Sequence, residues 1–362
     1  MARDRLRLWR PLTSRADSPP DQALVTISND DVDRILAVIN VSWAAGTRDC
    51  YGAGLLVYHV FCDSCNFSEA QRCPATPLSI VTFIASCAGS YAGSTLASYI
   101  FGVRAWHILH GLPWIMDDAQ VNAALTGTAN LAPPSSRRPK RAPFTVALIG
   151  KILAKLTLST PLDAAVAAAL TTIFFSVART GEFTVPSVER FDPAIHVKRC
   201  DIRPEEDRHG LQVTVFALLR TKRATTGEDV YRASQLGPED PQAALLNHFL
   251  VNNPAPLAHL FAYCHPKGAR PLTRCAFLDR INAVALTLGT DHLKGHGIRI
   301  GATLEYLLRG VPFDIVKLMG RWGSKAFVLY LRKHAVIMAP YMQNHLLLDP
   351  FTRYTLPPLR RR

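Results

Sequence analysis

The chain has 362 residues and a formal net charge of +13, and 48% of its residues are hydrophobic. This composition can supply a sizeable core, and the length allows two domains. It excludes a membrane-spanning protein, because the most apolar helical stretch, 164–178, is shorter than the roughly 20 residues that cross a bilayer. The N-terminus has no apolar core of the signal-peptide type. We therefore expect a soluble, intracellular protein whose positive charge suits nucleic acid or an anionic membrane surface.

The first predicted domain is helical throughout and covers residues 25–127. It follows a basic, proline-containing segment, residues 1–24, which we predict to be a loose tail. Its helix signals include Ser28 as an N-cap, Thr76 before a first-turn proline, and Gly111 as a helix stop. Apolar residues recur with the helical period between these signals.

A linker is predicted over residues 128–144. The stretch LAPPSSRRPKRAPF combines prolines and serines with basic residues, which is typical of a linker rather than of a packed element. Its basic run could also be a nuclear import signal or a contact to DNA phosphates, and a solvated linker is an equally good interpretation. The candidate phosphate contacts are Arg137, Arg138, Lys140 and Arg141.

The second predicted domain covers residues 145–345 and combines helices with a small sheet. Two apolar helical runs, VALIGKILAKLTL and DAAVAAALTTIFFSVA, lead to the motif ARTGE. Three β-like runs follow at 195–202, 211–219 and 229–234, with turn-like residues between the last two. Helical patterns then return. The predicted fold class is mainly α with a small antiparallel β-sheet, an α+β fold, followed by a basic tail over 346–362.

The eight cysteines raise the question of a metal site. A chain of this size does not need a disulfide framework. Cys62 and Cys65 form a CxxC pair close to Cys73 and His59, which would suit zinc, but no second CxxC follows. Buried or incidental thiols are therefore the favoured interpretation, and we expect no metal.

The residues best suited to chemistry lie between 292 and 334. His296 and Arg299 stand one helical turn apart in the motif HGIR, so both can address one point. Two further short helices are predicted to follow, and the second is capped by Ser324 and carries Tyr330. Three short helices in tight succession can fold back and bring Tyr330 near the HGIR motif.

This arrangement would allow Tyr330 to attack a phosphodiester. A tyrosine phenol has a pKa near 10, so only about one in a thousand is ionised at pH 7. Attack therefore requires that the proton is removed and that the charge on the target is stabilised. Guanidinium groups match phosphate oxygens, and Arg299 supplies one of them. Arg179 is the candidate for a second, with Glu182 three residues later to hold it.

The departing 5′ oxygen needs a proton donor, which a lysine on a hairpin could supply. Lys222, just past the end of a predicted strand, is the candidate for this general acid. Lys198 and Arg223 are its local competitors.

In this arrangement the chain resembles the tyrosine recombinases, the phage-integrase superfamily. The resemblance rests on six residues in the expected order, Arg179, Lys222, His296, Arg299, Trp322 and Tyr330. The sequences of four segments most resemble recombinases of eukaryotic mobile elements of the Crypton or DIRS kind. These segments are ARTGE, LLRTK, HGIRIGAT and GVPFDIVKLMGRWGSKAFVLYLR. The N-terminal helical block is similar to their core-binding domain, so the likeness covers roughly residues 25–345.

The resemblance implies a site-specific recombinase or integrase that acts on double-stranded DNA. Tyr330 would cleave the DNA and leave a 3′-phosphotyrosyl link, which another 5′ hydroxyl then attacks. Arg179 and Arg299 would grip the phosphate, His296 would support proton transfer, and Lys222 would be the general acid. By the same resemblance, no metal, ATP or other cofactor is required.

The resemblance also implies partners and a setting. Trp322 would occupy the position often filled by a second histidine, and Arg104 in the N-terminal block would be a further DNA contact. The two domains would clamp duplex DNA, with four protomers in the synaptic assembly and no membrane contact. We expect a nuclear protein that integrates or excises a mobile element.

Alternatives remain open at this point. Tyr330 follows Trp322 by eight residues, one fewer than in the best-known members, and glycine follows His296 where serine is common. Tyr341 is the substitute candidate for the nucleophile. ATLEYLLRGVPFDIVKLMGRW also reads as a helix-turn-helix, so a DNA-binding protein that has lost catalysis is a second hypothesis. An enzyme resembling type IB topoisomerases is a third.

Overall fold

The computed structural model describes residues 1–12, 28–136, 141–221, 224–323 and 336–337. The chain divides into two compact units, Met1–Pro139 and Lys140–Arg362. Helices dominate both units, and one three-stranded antiparallel sheet lies in the second, which confirms the predicted fold class. Within the described residues, no helix has both the length and the apolar character needed to cross a bilayer.

The first unit is a helical bundle. Its α-helices in the described residues are α1 (Arg5–Leu8), α2 (Asn29–Asn40), α3 (Ala45–Ser64), α4 (Glu69–Arg72), α5 (Pro77–Ser86), α6 (Gly93–His110) and α7 (Asp118–Asn130). The side chain of Ser28 caps α2, that of Thr76 caps α5, and Gly111 ends α6 in the left-handed conformation, as the sequence predicts. Helices α3 and α6 pack closely because Gly54 and Gly102 have no side chains. A side chain at either position would collide with the facing helix.

The N-terminus differs from the prediction of a loose tail over residues 1–24. The side chain of Leu6 is fully buried, and its carbonyl oxygen lies 2.9 Å from Nε2 of His110. The indole nitrogen of Trp106 donates a hydrogen bond of 2.5 Å to the carbonyl of Trp9. Leu6 and Trp9 are spaced by one helical turn, so both face the bundle despite the basic residues around them. Residues 13–27 lie outside the described part of the chain.

The second unit builds helices around the sheet. Its α-helices and strands in the described residues are α8 (Val146–Lys155), α9 (Pro161–Phe175), β1 (Ile202–Glu206), β2 (Gln212–Leu218), β3 (Glu228–Arg232), α10 (Pro241–Asn252), α11 (Arg274–Thr287), α12 (Gly295–Leu308) and α13 (Phe313–Met319). The strands have the order β1-β2-β3, with Ile202 opposite Phe216 and Thr214 opposite Arg232. The alanine-rich α9 is buried from Asp163 to its end, and the carboxylate of Asp163 is paired with Arg280 at 2.6 Å.

The first strand is displaced from its prediction at 195–202. The polar segment before Ile202 forms a tight turn, because the carboxylate of Asp201 accepts from the backbone nitrogen of Lys198 at 2.8 Å and pairs with its ammonium at 3.0 Å. Val197 is buried outside the sheet, where its carbonyl accepts a hydrogen bond of 3.0 Å from the nitrogen of Leu260. The apolar pattern at 195–202 therefore predicts the burial of Val197 correctly, but it does not predict which residues pair in the sheet.

Two glycines on α12 allow a backbone segment to lie directly against the helix. The nitrogen of Phe144 donates to the carbonyl of Gly297 at 3.1 Å, and a Cβ at Gly297 would lie 2.5 Å from the carbonyl oxygen of Ala142. A Cβ at Gly301 would overlap the backbone of Phe144. This close approach explains why glycine follows His296 in HGIR.

Gly301→Ala tests this close approach. Alanine normally stabilises an exposed helix position by up to about 1 kcal/mol over glycine. At Gly301 the added methyl group has no room, so we expect the free energy of unfolding to fall by about 1–3 kcal/mol, as measured by urea denaturation. Gly127→Ala in α7 is the matched control, because a Cβ there meets no atom within 4 Å. Equal stabilisation by both changes would contradict the packing described for α12.

Candidate active site

A cavity of about 580 Å³ in the second unit brings together four arginines and a histidine. Its walls come from the turn after α9, the segment after β2, and the N-terminal ends of α11 and α12. The lining residues are Arg179, Thr180, Gly181, Glu182, Arg220, Thr221, Arg274, Gly295, His296 and Arg299. Of these, Glu182 is the single carboxylate. The cavity is therefore suited to an anion.

Arg179 is held at the cavity wall by Glu182. The residues Thr180–Glu182 form a single turn, and the carboxylate of Glu182 accepts hydrogen bonds from both the backbone nitrogen and the Nη1 of Arg179, at 2.8 and 2.7 Å. The carboxylate-bearing side chain of Glu182 is 6% exposed, whereas that of Arg179 is 27% exposed. The buried acid thus fixes the arginine while leaving part of the guanidinium open to the cavity.

Glu182 is shared with a second arginine, Arg321. The Nη2 of Arg321 lies 2.5 Å from the Glu182 carboxylate, and its Nη1 lies 2.7 Å from the carboxylate of Glu228. Burial by itself would raise the pKa of Glu182. The charge of Arg321 and the hydrogen bonds from Arg321 and Arg179 outweigh that effect and lower the pKa below its usual range. Glu182 is therefore ionised at neutral pH.

The turn that carries Arg179 is tied directly to α12. The hydroxyl of Thr180 donates to the carbonyl of Gly295 at 3.1 Å, just before His296. Beyond the turn, Val185 pairs with the segment before α11, and the nitrogen of Arg274 donates to the Val185 carbonyl at 2.9 Å. These hydrogen bonds bring chain segments about one hundred residues apart in sequence to one cavity.

Arg299 is almost wholly buried, with 1% of its surface exposed, yet it lines the cavity. Its Nη2 donates to the carbonyl of Gly320, and its guanidinium carbon lies 4.2 Å from the centre of the Trp322 ring. Stacking on an indole stabilises a desolvated guanidinium. Gly320 leaves space for this arrangement, because a side chain there would overlap the indole of Trp322.

The other predicted site residues are placed as follows. His296 is half-buried near the N-terminal end of α12 and lines the cavity together with Arg299. Trp322 is nearly buried and contacts Arg299 rather than lining the cavity itself. Lys198, the competitor of Lys222, is engaged by Asp201 and by the carbonyl of Pro193.

Several predicted residues cannot be placed. Tyr330, Tyr341, Lys222 and Arg223 lie outside the described residues, as do Arg137, Arg138 and Lys140. Arg141 is described and exposed, and Arg104 is exposed on α6 of the first unit. The structure thus brings Arg179, Glu182, His296, Arg299 and Trp322 into one neighbourhood.

Three residues of this neighbourhood were not singled out from the sequence. Arg220 and Arg274 line the cavity with exposed side chains, and neither is paired with a carboxylate in the part of the chain that the structure describes. Arg321 forms an ion pair with Glu182. Arg220 could have been found, because it stands in the basic cluster RTKR. Arg274 and Arg321 had no such signal, since their roles depend on contacts distant in sequence.

The cysteine cluster of the first unit does not have the character of a metal site. Burial raises the pKa of the Cys62 thiol to about 11 and that of Cys73 to about 12, which favours neutral thiols. Nη1 of Arg72 lies 3.3 Å from Nδ1 of His59, where a metal ion would be repelled. Across the described ranges, no three acidic, histidine or cysteine side chains are grouped as metal ligands.

Comparison with known proteins gives a structural likeness. No protein-family model matches the chain, and no curated protein matches it. The chain is similar to the XerH site-specific recombinase bound to a palindromic difH substrate in a post-cleavage complex, with 14% identity, a TM-score of 0.53, and coverage of 91% of this chain and 85% of that chain. A pre-cleavage complex of XerH with difH gives 14% identity, a TM-score of 0.52, and coverage of 88% and 85%. The chain thus shares the fold of the XerH site-specific recombinase.

The pKa of Glu182 leads to a test of the buried ion pairs. Because the folded-state pKa is lowered, ionised Glu182 stabilises the protein above its unfolded pKa of about 4.3, and this stability is lost as the pH falls through the folded value. At neutral pH, Glu182→Gln should cost about 3–5 kcal/mol, because it removes the buried carboxylate that pairs with both Arg179 and Arg321. The measurement is the difference in unfolding free energy between wild type and variant as a function of pH.

That difference should shrink as the pH falls below about 4.3. Glu305→Gln is the control, since it removes the partner of Arg309 in a partly exposed ion pair that contributes little. A Glu182→Gln effect that is the same at acid and neutral pH would contradict the ionic role of Glu182.

Proposed function

We propose that this protein is a tyrosine recombinase that cleaves and rejoins double-stranded DNA through a 3′-phosphotyrosyl intermediate. The observation that carries the proposal is the convergence of Arg179, Arg299 and His296 at one cavity, in a chain with the fold of XerH. Fold likeness alone does not assign activity, so the chemistry of this cavity supports the proposal.

A phosphodiester fits the cavity by charge and by shape. Each guanidinium offers a planar fork that matches two phosphate oxygens. At an effective dielectric constant of 20, a unit charge about 4 Å away contributes about 4 kcal/mol of Coulomb attraction. Arg299 and Arg179 are both fixed before any ligand arrives, so they can stabilise the negative charge that develops during attack without reorganising.

In the proposed reaction, the phenol oxygen of Tyr330 attacks the phosphorus and the bond to the 5′ oxygen breaks. Lys222 protonates the departing 5′ oxygen to give a 5′ hydroxyl, and His296 assists removal of the phenol proton. The rejoining step reverses this sequence with a 5′ hydroxyl of another DNA end. The phosphotyrosyl link conserves the bond energy, so the proposed cycle uses neither ATP nor a metal ion. Tyr330 and Lys222 enter as proposals, since both lie outside the described residues.

The biological setting is also part of the proposal. The sequences of the motifs support a recombinase of the Crypton or DIRS kind from a eukaryotic mobile element. It would act in the nucleus and would integrate or excise that element. XerH is seen bound to its difH substrate. For this chain we propose binding to double-stranded DNA and a tetramer on two synapsed sites.

The helix-turn-helix alternative has less support. In that hypothesis α12 and α13 would present a surface to DNA. However, α12 is buried along most of its length, including Ile298, Arg299 and Ile300. Helix α13, the second helix of the motif, exposes Phe313, Ile315 and Leu318, which are apolar rather than suited to phosphate contacts, and this favours the catalytic interpretation.

The proposed nucleophile can be tested with nicked suicide DNA, which traps the covalent intermediate. We expect wild-type protein to form a DNA adduct that maps to Tyr330 and is lost in Tyr330→Phe, because only the phenol oxygen can form the link. Tyr341→Phe is the matched control and should retain the adduct.

An adduct that persists in Tyr330→Phe and maps to Tyr341 would reassign the nucleophile. Failure of the wild type to form any adduct, with DNA binding intact, would favour a DNA-binding protein without catalysis. Relaxation of supercoiled plasmid by single protomers without site preference would favour the topoisomerase-like alternative.

The two unassigned cavity arginines should contact phosphates that flank the cleaved one. We expect Arg274→Gln to weaken binding to all duplexes alike and to reduce the slope of log K against log salt by about 0.9, the contribution of one phosphate contact. Electrophoretic mobility shift at a series of salt concentrations measures this slope. Arg309→Gln is the control, because Arg309 pairs with Glu305 and does not line the cavity. An unchanged slope for Arg274→Gln would exclude a phosphate contact.

A further inference from the structure

Arg321 is held in an unusual conformation at a site that the proposed reaction does not use. It directly follows Gly320 at the end of α13, and its backbone φ is +57°, in the left-handed region that side chains other than glycine rarely adopt. Its side chain is 10% exposed. A residue kept in an unfavourable conformation indicates that its side-chain contacts compensate for the strain.

Those contacts join parts of the chain that are far apart in sequence. One nitrogen of Arg321 binds Glu182, 139 residues away, and another binds Glu228, 93 residues away. Glu228 is the first residue of β3, so it stands at the end of the hairpin that joins β2 and β3. Glu182 also binds Arg179. The order Arg179, Glu182, Arg321, Glu228 is therefore a row of alternating charges that ends at the cavity.

The neighbours of Arg321 support the other cavity arginine. The carbonyl of Gly320 accepts a hydrogen bond from Arg299, and the ring of Trp322 stacks on the same guanidinium. Residues 320–322 therefore contact Arg299 directly and contact Arg179 through Glu182. A small shift of this segment would move both guanidiniums.

We propose that Arg321 is a positioning residue for DNA cleavage, which holds Arg179 at the phosphate through Glu182 and fixes β3 to the same point through Glu228. The inference rests on the proposed function. Arg321 offsets the charge of Glu182, so the carboxylate holds Arg179 without cancelling the positive charge that the guanidinium presents to the cavity. Its planar fork reaches two carboxylates at once, which an ammonium cannot do in the same geometry.

The experiment measures adduct formation on suicide DNA in a single turnover, together with the dissociation constant for the same duplex and the thermal midpoint of unfolding. The variants are Arg321→Gln, Arg321→Lys and Glu228→Gln, and Arg309→Gln is a control arginine in a surface ion pair. We expect Arg321→Gln to slow cleavage by about 100-fold, the effect of a misplacement near 1 Å, while the dissociation constant is unchanged. Arg321→Lys should recover part of the rate, Glu228→Gln should show a smaller loss, and Arg309→Gln should have none.

The outcomes separate this inference from the proposed function. Cleavage by Arg321→Gln at the wild-type rate would overturn the positioning role. A loss of cleavage in proportion to losses of DNA binding and thermal stability, without recovery by lysine, would also overturn it and indicate a purely structural role. Wild-type cleavage with no effect of Glu228→Gln would overturn the tie to β3. Absence of any adduct in the wild type would instead overturn the proposed function, and the inference with it.

Discussion

The second unit depends on one buried carboxylate that serves two arginines. Glu182 is almost inaccessible to water, and an unpaired ionised acid at such a position would be strongly unfavourable. It is tolerated because Arg179 and Arg321 approach it from different parts of the chain. The turn after α9, the end of α13 and, through Glu228, the start of β3 can form this contact only when the whole unit is folded. The same ion pairs that compensate for the buried charge therefore assemble the wall of the cavity.

Around this point the fold uses very close packing. Small residues in α9 and glycines in α12 let helices and backbone segments approach one another, so His296 and Arg299 are borne on a helix with little freedom to shift. Arg299 illustrates the result, since a long, flexible side chain is fixed between the carbonyl of Gly320 and the ring of Trp322. A site built on such elements is more precise than one built on exposed loops.

Much of this arrangement could be predicted from the sequence, where the signals are local. The caps at Ser28 and Thr76, the stop at Gly111, and the helical repeat of α12 all depend on residues within one or two turns. For the same reason His296 and Arg299 could be assigned to one helix face. Pairing over long distances could not be predicted, so the first strand was placed too early and the partner of Val197 was missed. Arg274 and Arg321 were missed likewise, because nothing near them in the sequence indicates a cavity or a distant carboxylate.

The surplus of positive charge at the cavity has a further consequence for the stability of the protein. Four arginines and one glutamate line the cavity, so its net charge is positive, and like charges that line one cavity repel one another. The empty protein therefore carries a penalty that an incoming anion relieves. Saturation with a polyanion would raise the melting temperature, because the polyanion binds the folded protein and also reduces this repulsion. The stability of such a protein would therefore depend on the fraction of it that is bound to its ligand.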